Sequence, residues 1–197
     1  MPCGATWGDL VQDSGVGDVA AVWAQTSGAT MKVASWNIRW LRSQHTALAT
    51  AKRAVVLRLL TEGCIVLLQE THWAAESLAT WERSFPGSQV LASCARPGPR
   101  GGPQGGVTTI VPSSYRVLSS EVVAEGYCLR VVVQDVGALD PPYEVYNLYL
   151  PPGCRREALA EVVGHPALGG SDVHLRLAGG ISICASPTRA MRKRWRM

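Results

Sequence analysis

The sequence predicts an α/β fold in which β-sheets pack face to face and helices lie outside them. Three observations lead there. A strand–helix–strand unit is legible over 31–70. A run of short strand-like segments separated by turn-length breaks follows between 106 and 150, with one more helix and strand after it. Hydrophobic residues make up 47% of the 197 and charged residues 17%, which supplies a core for one globular domain and excludes disorder throughout.

Residues 1–30 are rich in Gly, Ala, Ser and Asp and read as a flexible leader, with a short helix over Asp18–Gln25 and Met31 as a natural start for the domain. The domain is expected over 31–188. Its first strand comes from Met31–Trp40, with Val33, Ser35 and Asn37 on one face and Ala34, Trp36 and Ile38 on the other. That strand should end at Asn37. Ala47–Thr61 carries Leu48, Ala51, Val55, Leu59 and Leu60 at helical spacing, and Gly63 stops it. Cys64–Gln69 is then a nearly unbroken apolar run closed by Glu70, as suits a strand buried on both faces and parallel to the first.

Trp73–Phe85 reads as a short helix and Gln89–Ala92 as a brief strand. Residues 93–106 form a Gly- and Pro-dense loop, and no Gly-Lys-Ser or Gly-Lys-Thr follows it to make a Lys-bearing phosphate cradle. Gly106–Pro112, Tyr115–Val123, Cys128–Gln134 and Tyr143–Leu150 have strand composition and are expected as an antiparallel meander. Arg155–Val163 reads as a helix and Val173–Ala178 as a last strand.

The chemistry of this layout gathers at two strand ends. A parallel strand–helix–strand unit puts Asn37 and Glu70 at the C-terminal rim, where open α/β sheets place ligands. Taken singly, such an Asn starts a turn and such a Glu is a solvated terminus. Together they make a small polar pocket on an apolar platform, suited to Mg²⁺ and its waters. The net charge of +4 fits a polyanion partner only weakly, because Arg189, Arg192, Lys193, Arg194 and Arg196 crowd into a basic tail over 189–197. Six cysteines without a CxxC read as reduced thiols of an intracellular protein. No apolar run is long enough to span a bilayer and no secretion signal is visible, so no membrane is expected as partner. No obligate protein partner is evident either.

Four segments then carry a resemblance. They are Ser35-Trp36-Asn37-Ile38-Arg39, Ile65-Val66-Leu67-Leu68-Gln69-Glu70-Thr71-His72, Gly105-Gly106-Val107-Thr108-Thr109-Ile110-Val111 and Val145-Tyr146-Asn147-Leu148-Tyr149-Leu150-Pro151-Pro152. In order and spacing over 31–152 they resemble the endonuclease/exonuclease/phosphatase superfamily of deoxyribonuclease-I-like fold, in the flavour of non-LTR retrotransposon endonuclease domains and their apurinic-endonuclease relatives. The resemblance implies a four-layer sandwich of two mixed β-sheets flanked by helices. It also implies phosphodiester hydrolysis assisted by Mg²⁺, or by Mn²⁺ in its place. The expected partner is nucleic acid, DNA ahead of RNA, and a nuclear location is compatible with that. By analogy Glu70 binds the metal, Asn37 helps hold metal and phosphate, and Tyr149 donates to the scissile phosphate. Arg39 and His72 are candidates for nucleic-acid contact, or else ordinary surface polar residues.

The pattern fails at the other half of the family site. Where members carry Gly-Asp-x-Asn, this chain reads Leu177-Ala178-Gly179-Gly180-Ile181-Ser182-Ile183, and neither Ser182 nor Ile183 can act as a carboxylate base. Asp172 and His174 precede that strand at the wrong spacing for the family's Ser-Asp-His signature. The sequence ends at Met197, ahead of the family's remaining strands. The expectation is a domain truncated on its C-terminal side that hydrolyses poorly or not at all. Competing readings are a non-catalytic nucleic-acid-binding remnant of a mobile element, a relic without activity, and a phosphatase of the same superfamily.

Overall fold

The structure, a computed structural model, describes residues 19–26, 29–39, 41, 46–98, 101–137, 142–151, 155–165 and 176–179. Strands β1 (Val19–Thr26), β2 (Ala29–Asn37), β3 (Ile65–Gln69), β4 (Ser88–Ser93) and β7 (Val107–Pro112) form a five-stranded sheet in the order β1-β2-β3-β7-β4. Strands β8 (Tyr115–Ala124), β9 (Cys128–Asp135), β10 (Tyr143–Leu148) and β11 (Arg176–Gly179) form a second sheet in the order β11-β10-β9-β8. A two-residue ribbon, β5 (Arg96–Pro97) with β6 (Pro103–Gln104), closes the loop before β7. Both large sheets are mixed: β2 runs parallel to β3 and β10 parallel to β11, and the other pairs are antiparallel.

Three apolar clusters define four layers. Ala34, Trp36 and Ile38 project from β2 onto helices α1 (Ala47–Thr61) and α2 (Leu78–Ser84), joining Val56, Leu59, Trp81 and Phe85. The opposite face of the same strand, Met31 and Val33, meets Leu129, Val131, Val133 and Val145 of the second sheet. Beyond that sheet, Cys128 and Tyr146 pack against Ala158 and Val162 of helix α3 (Arg155–Val163). The result is helix, sheet, sheet, helix. Each face of β2 serves a different core because strand side chains alternate. Both faces of β3 are buried, so its apolar run is continuous. The Thr46 hydroxyl starts α1 by accepting from Ala49 N at 3.1 Å.

Two expectations are corrected. Val19–Thr26 is a strand, where a helix was expected over Asp18–Gln25, and its eight-residue register with β2 makes residues from Val19 onward part of the first sheet. A helix that short is marginal by itself, and a Val- and Trp-containing segment gains more by pairing with the open edge of β2. The four strands expected as one meander are divided: β8, β9 and β10 form it, but β7 lies in the other sheet between β3 and β4. All six residues of β7 are buried, so its sequence fits the middle of either sheet.

Among the described residues, Cys64, Cys94 and Cys128 carry no disulfide. Burial pushes the Cys128 thiol up to about 12, which leaves it protonated and inert. Cys3, Cys154 and Cys184 lie outside the described residues, as do the basic tail, Asp172, His174 and the Gly180–Ile183 segment. Among the described residues no helix is long and apolar enough to cross a membrane.

Candidate functional site

β2 and β3 run in parallel register, Asn37 opposite Gln69, so both deliver their C-termini to one rim. Tyr149 arrives there from the second sheet, one residue past β10. The Glu70 carboxylate is the meeting point. Its Oε1 accepts from Asn37 Nδ2 at 3.0 Å and from the Tyr149 hydroxyl at 2.6 Å, contacts that span 33 and 79 positions of sequence. Asn37 is exposed, while Glu70 and Tyr149 are half-buried. Glu70 Oε2 carries no hydrogen bond from any described residue. The three residues singled out from the sequence therefore share one rim and one oxygen atom.

The backbone at this rim is strained. Among the described residues, three non-glycines have positive φ: Arg39 at 40°, Glu70 at 54° and His72 at 54°. Left-handed backbone is costly for a side chain with a Cβ and persists only where the surroundings impose it. Here the imposing contacts are visible. Ile38 N donates to Gln69 O at 3.0 Å, Thr71 N to Gly106 O at 3.1 Å, and His72 N to Gly105 O at 3.2 Å. Arg39 N donates to Asn37 Oδ1 at 3.2 Å, which orients the amide so that Nδ2 faces Glu70. Gly106, at φ +89°, sits so close that a Cβ there would lie 2.8 Å from Thr71 Oγ1 and 3.0 Å from His72 N.

Arg39 is exposed beside Asn37. His72 is half-buried, with Nδ1 2.8 Å from Pro103 O. A carbonyl only accepts, so that contact places a proton on Nδ1. His72 also borders a cavity of about 450 Å³ walled by Trp73, Trp81, Arg96 and Pro103. Glu70, Asn37 and Tyr149 do not line that cavity, so the carboxylate cluster and the hollow are neighbours and not one site.

Under the carboxylate lies a polar network for which no role was drawn from the sequence. Buried Gln69 donates to Asn147 Oδ1 at 2.8 Å and to Ser35 Oγ at 3.2 Å. Asn147 Nδ2 in turn donates to Leu68 O at 3.1 Å and Thr108 O at 2.8 Å. Both side chains are almost fully buried, and their bonds tie the two sheets together directly beneath Glu70. A signal was available: alternation puts Asn147 on the same inward face as Tyr143 and Val145, and a buried amide needs partners. Lys52, likewise given no role from the sequence, is 7% exposed.

The donor set fits a hard cation that keeps most of its water. Mg²⁺ commonly binds through one or two carboxylates plus substrate phosphate. Glu70 offers one carboxylate, with Oε2 unengaged by the described residues and Oε1 held by neutral donors. Among the described residues no cluster of three His, Cys, Asp or Glu exists that could enclose a metal by itself.

No family model matches the sequence, and no curated protein does either. Solved structures do resemble it. The Xenopus laevis APE2 catalytic domain matches with a TM-score of 0.50 at 19% identity, over 83% of this chain and 64% of that one. A functionally unknown conserved protein from Enterococcus faecalis V583 has a TM-score of 0.46 at 14% identity over 68% of this chain and 59% of its own. The AP endonuclease LMAP from Leishmania major has a TM-score of 0.41 at 22% identity over 61% and 40%. This chain thus spans less than two thirds of the length of each. The APE2 likeness shows the fold, a deoxyribonuclease-I-like α/β sandwich.

Proposed function

We propose that this chain is a phosphodiesterase-type domain of the endonuclease/exonuclease/phosphatase superfamily that acts on or binds nucleic acid. In this reading it keeps the metal- and phosphate-holding half of the site and lacks the half that activates water. The observation that carries the proposal is the single carboxylate oxygen shared by Asn37 and Tyr149 at the rim where two sheets meet. Its direction toward DNA comes from the four motifs, which resemble those of apurinic endonucleases and their relatives.

Glu70 would hold Mg²⁺, or Mn²⁺ in its place, through its second oxygen, with Asn37 steadying the carboxylate. When bound, such a cation neutralises charge on the phosphate oxygens and on the leaving alkoxide. Asn37 and Tyr149 are neutral donors that keep Glu70 in one rotamer and can turn toward a phosphate oxygen without repelling the cation. Arg39 and His72, both at positive φ, would contact flanking phosphates in this reading. The proposed impairment rests on sequence. β11 ends at Gly179, and the family's Gly-Asp-x-Asn motif would fall on the stretch that follows it. The sequence there is Gly180-Ile181-Ser182, without a carboxylate. Lack of one general base costs about 10²–10⁴ in rate.

The test uses supercoiled plasmid with Mg²⁺, comparing the wild-type chain with Glu70→Gln. Salt-dependent DNA retention with slow or absent nicking is expected. Rapid nicking that requires both metal and Glu70 contradicts the impairment. Absence of both retention and nicking contradicts the nucleic-acid reading.

A further inference from the structure

The rim is held from behind by a buried cation. Lys52 lies in α1 with its ammonium against the turn that follows β2, donating to Ile38 O at 2.6 Å and to Arg39 O at 3.1 Å. Those two carbonyls flank the residue at which the backbone swings into the left-handed region, Arg39 at φ 40°. Arg39 N is the donor that fixes Asn37 Oδ1, and Asn37 Nδ2 is a donor to Glu70. The contacts form one chain: ammonium, strained turn, carboxamide, carboxylate.

We infer that Lys52 is a positioning residue, whose grip on the Ile38 and Arg39 carbonyls fixes the turn that aims the Asn37 amide at Glu70. An apolar residue would serve the helix packing of α1 better, since a buried ammonium carries a desolvation penalty. Burial, helped by the charge of Arg39, does pull the Lys52 pKa below its ordinary value. What the ammonium adds is geometry: donors that can serve two successive carbonyls at once, which a Leu or Met cannot supply. Without it the turn is free to relax toward ordinary φ, and the Arg39 N–H then leaves the Asn37 amide.

This inference rests on the phosphodiesterase reading only for its catalytic consequence, so the test has readouts with and without activity. Lys52→Met and Lys52→Gln are compared with wild type by hydrogen exchange, by Mn²⁺ binding in electron paramagnetic resonance, and by steady-state nicking kinetics. Lys52→Met is expected to speed exchange at least about tenfold at 38–39 while β3 and β7 stay protected. It is also expected to weaken Mn²⁺ binding about tenfold and, where the wild-type chain nicks slowly, to lower that kcat with KM within twofold. Lys52→Gln keeps a donor for one carbonyl and should fall between the two. In an Asn37→Ala background, Lys52→Met should cost no further Mn²⁺ affinity, because its influence runs through Asn37.

Unchanged exchange at 38–39 in Lys52→Met overturns the inference, as does a uniform rise across the whole sheet. If Lys52→Met does not fold, Lys52→Gln takes its place and the same two outcomes decide. A wild-type chain that neither binds Mn²⁺ nor nicks DNA defeats the function proposed above, while the exchange contrast still decides the role of Lys52.

Discussion

Glu70 sits in a disfavoured backbone conformation and accepts two hydrogen bonds on one oxygen. Tyr149 donates to it at 2.6 Å and Asn37 at 3.0 Å, each within the ordinary range for its donor type. Tyr149→Phe is therefore expected to cost about 1 kcal/mol in a denaturant titration, the ordinary net worth of one hydrogen bond, and to leave the fold intact. A loss near zero would mean that the phenol and carboxylate are not bonded in solution. Gly106→Ala should be worse. It forces φ +89° onto a residue with a Cβ and drives that Cβ within 2.8 Å of Thr71 Oγ1, so a loss of about 1–3 kcal/mol is expected in the same titration. Asn37 and Glu70 were legible in the sequence because each ends a recognisable strand, and Tyr149 only through the resemblance carried by its segment. Lys52 was not, because its partners are backbone carbonyls and nothing in local spacing marks a carbonyl that needs a donor; Asn147 was marked only as inward-facing by strand alternation, which does not name its partners.

Among the elements, β1 changes the domain most. It covers one edge of β2, the strand that carries Asn37, through pairs from Val19–Trp36 to Thr26–Ala29. A chain beginning at Met31 should melt at a lower temperature and aggregate sooner on heating, since β2 then presents unpaired N–H and C=O groups at an open edge. Equal melting temperatures for the long and short forms would return residues 19–30 to the status of a leader. The extent of α1 and the apolar run of β3 were readable from their own residues, but the buried face of α1 is Ala49, Lys52, Val56, Leu59 and Leu60, while Leu48 and Ala51 of the expected stripe are exposed. The places of β1 and β7 were not, because strand partnership depends on what edge lies open elsewhere in the chain. For β7, Thr108 and Thr109 put one polar residue on each face and all six residues are buried, so no alternation assigned it to a sheet.

At the scale of the molecule, the two sheets could slide over their shared apolar core were it not for the amides between them. Hydrophobic contact is non-directional, whereas Gln69 and Asn147 fix one register between β3, β7 and β10. Asn147→Ala removes three such bonds and leaves Leu68 O and Thr108 O without that donor, so a loss of at least about 2 kcal/mol is expected in urea unfolding. It should also loosen Glu70, which follows Gln69 directly. The four-layer plan came from the sequence only through the resemblance of four motifs; composition and periodicity alone reached sheets packed together with helices outside. The most direct measurement is a Mn²⁺ titration followed by electron paramagnetic resonance on the wild-type chain and Glu70→Gln. One bound ion per chain in the wild type, lost in Glu70→Gln, is the predicted result; binding that is absent from the wild type or indifferent to Glu70 would contradict a metal- and phosphate-holding half-site at this rim.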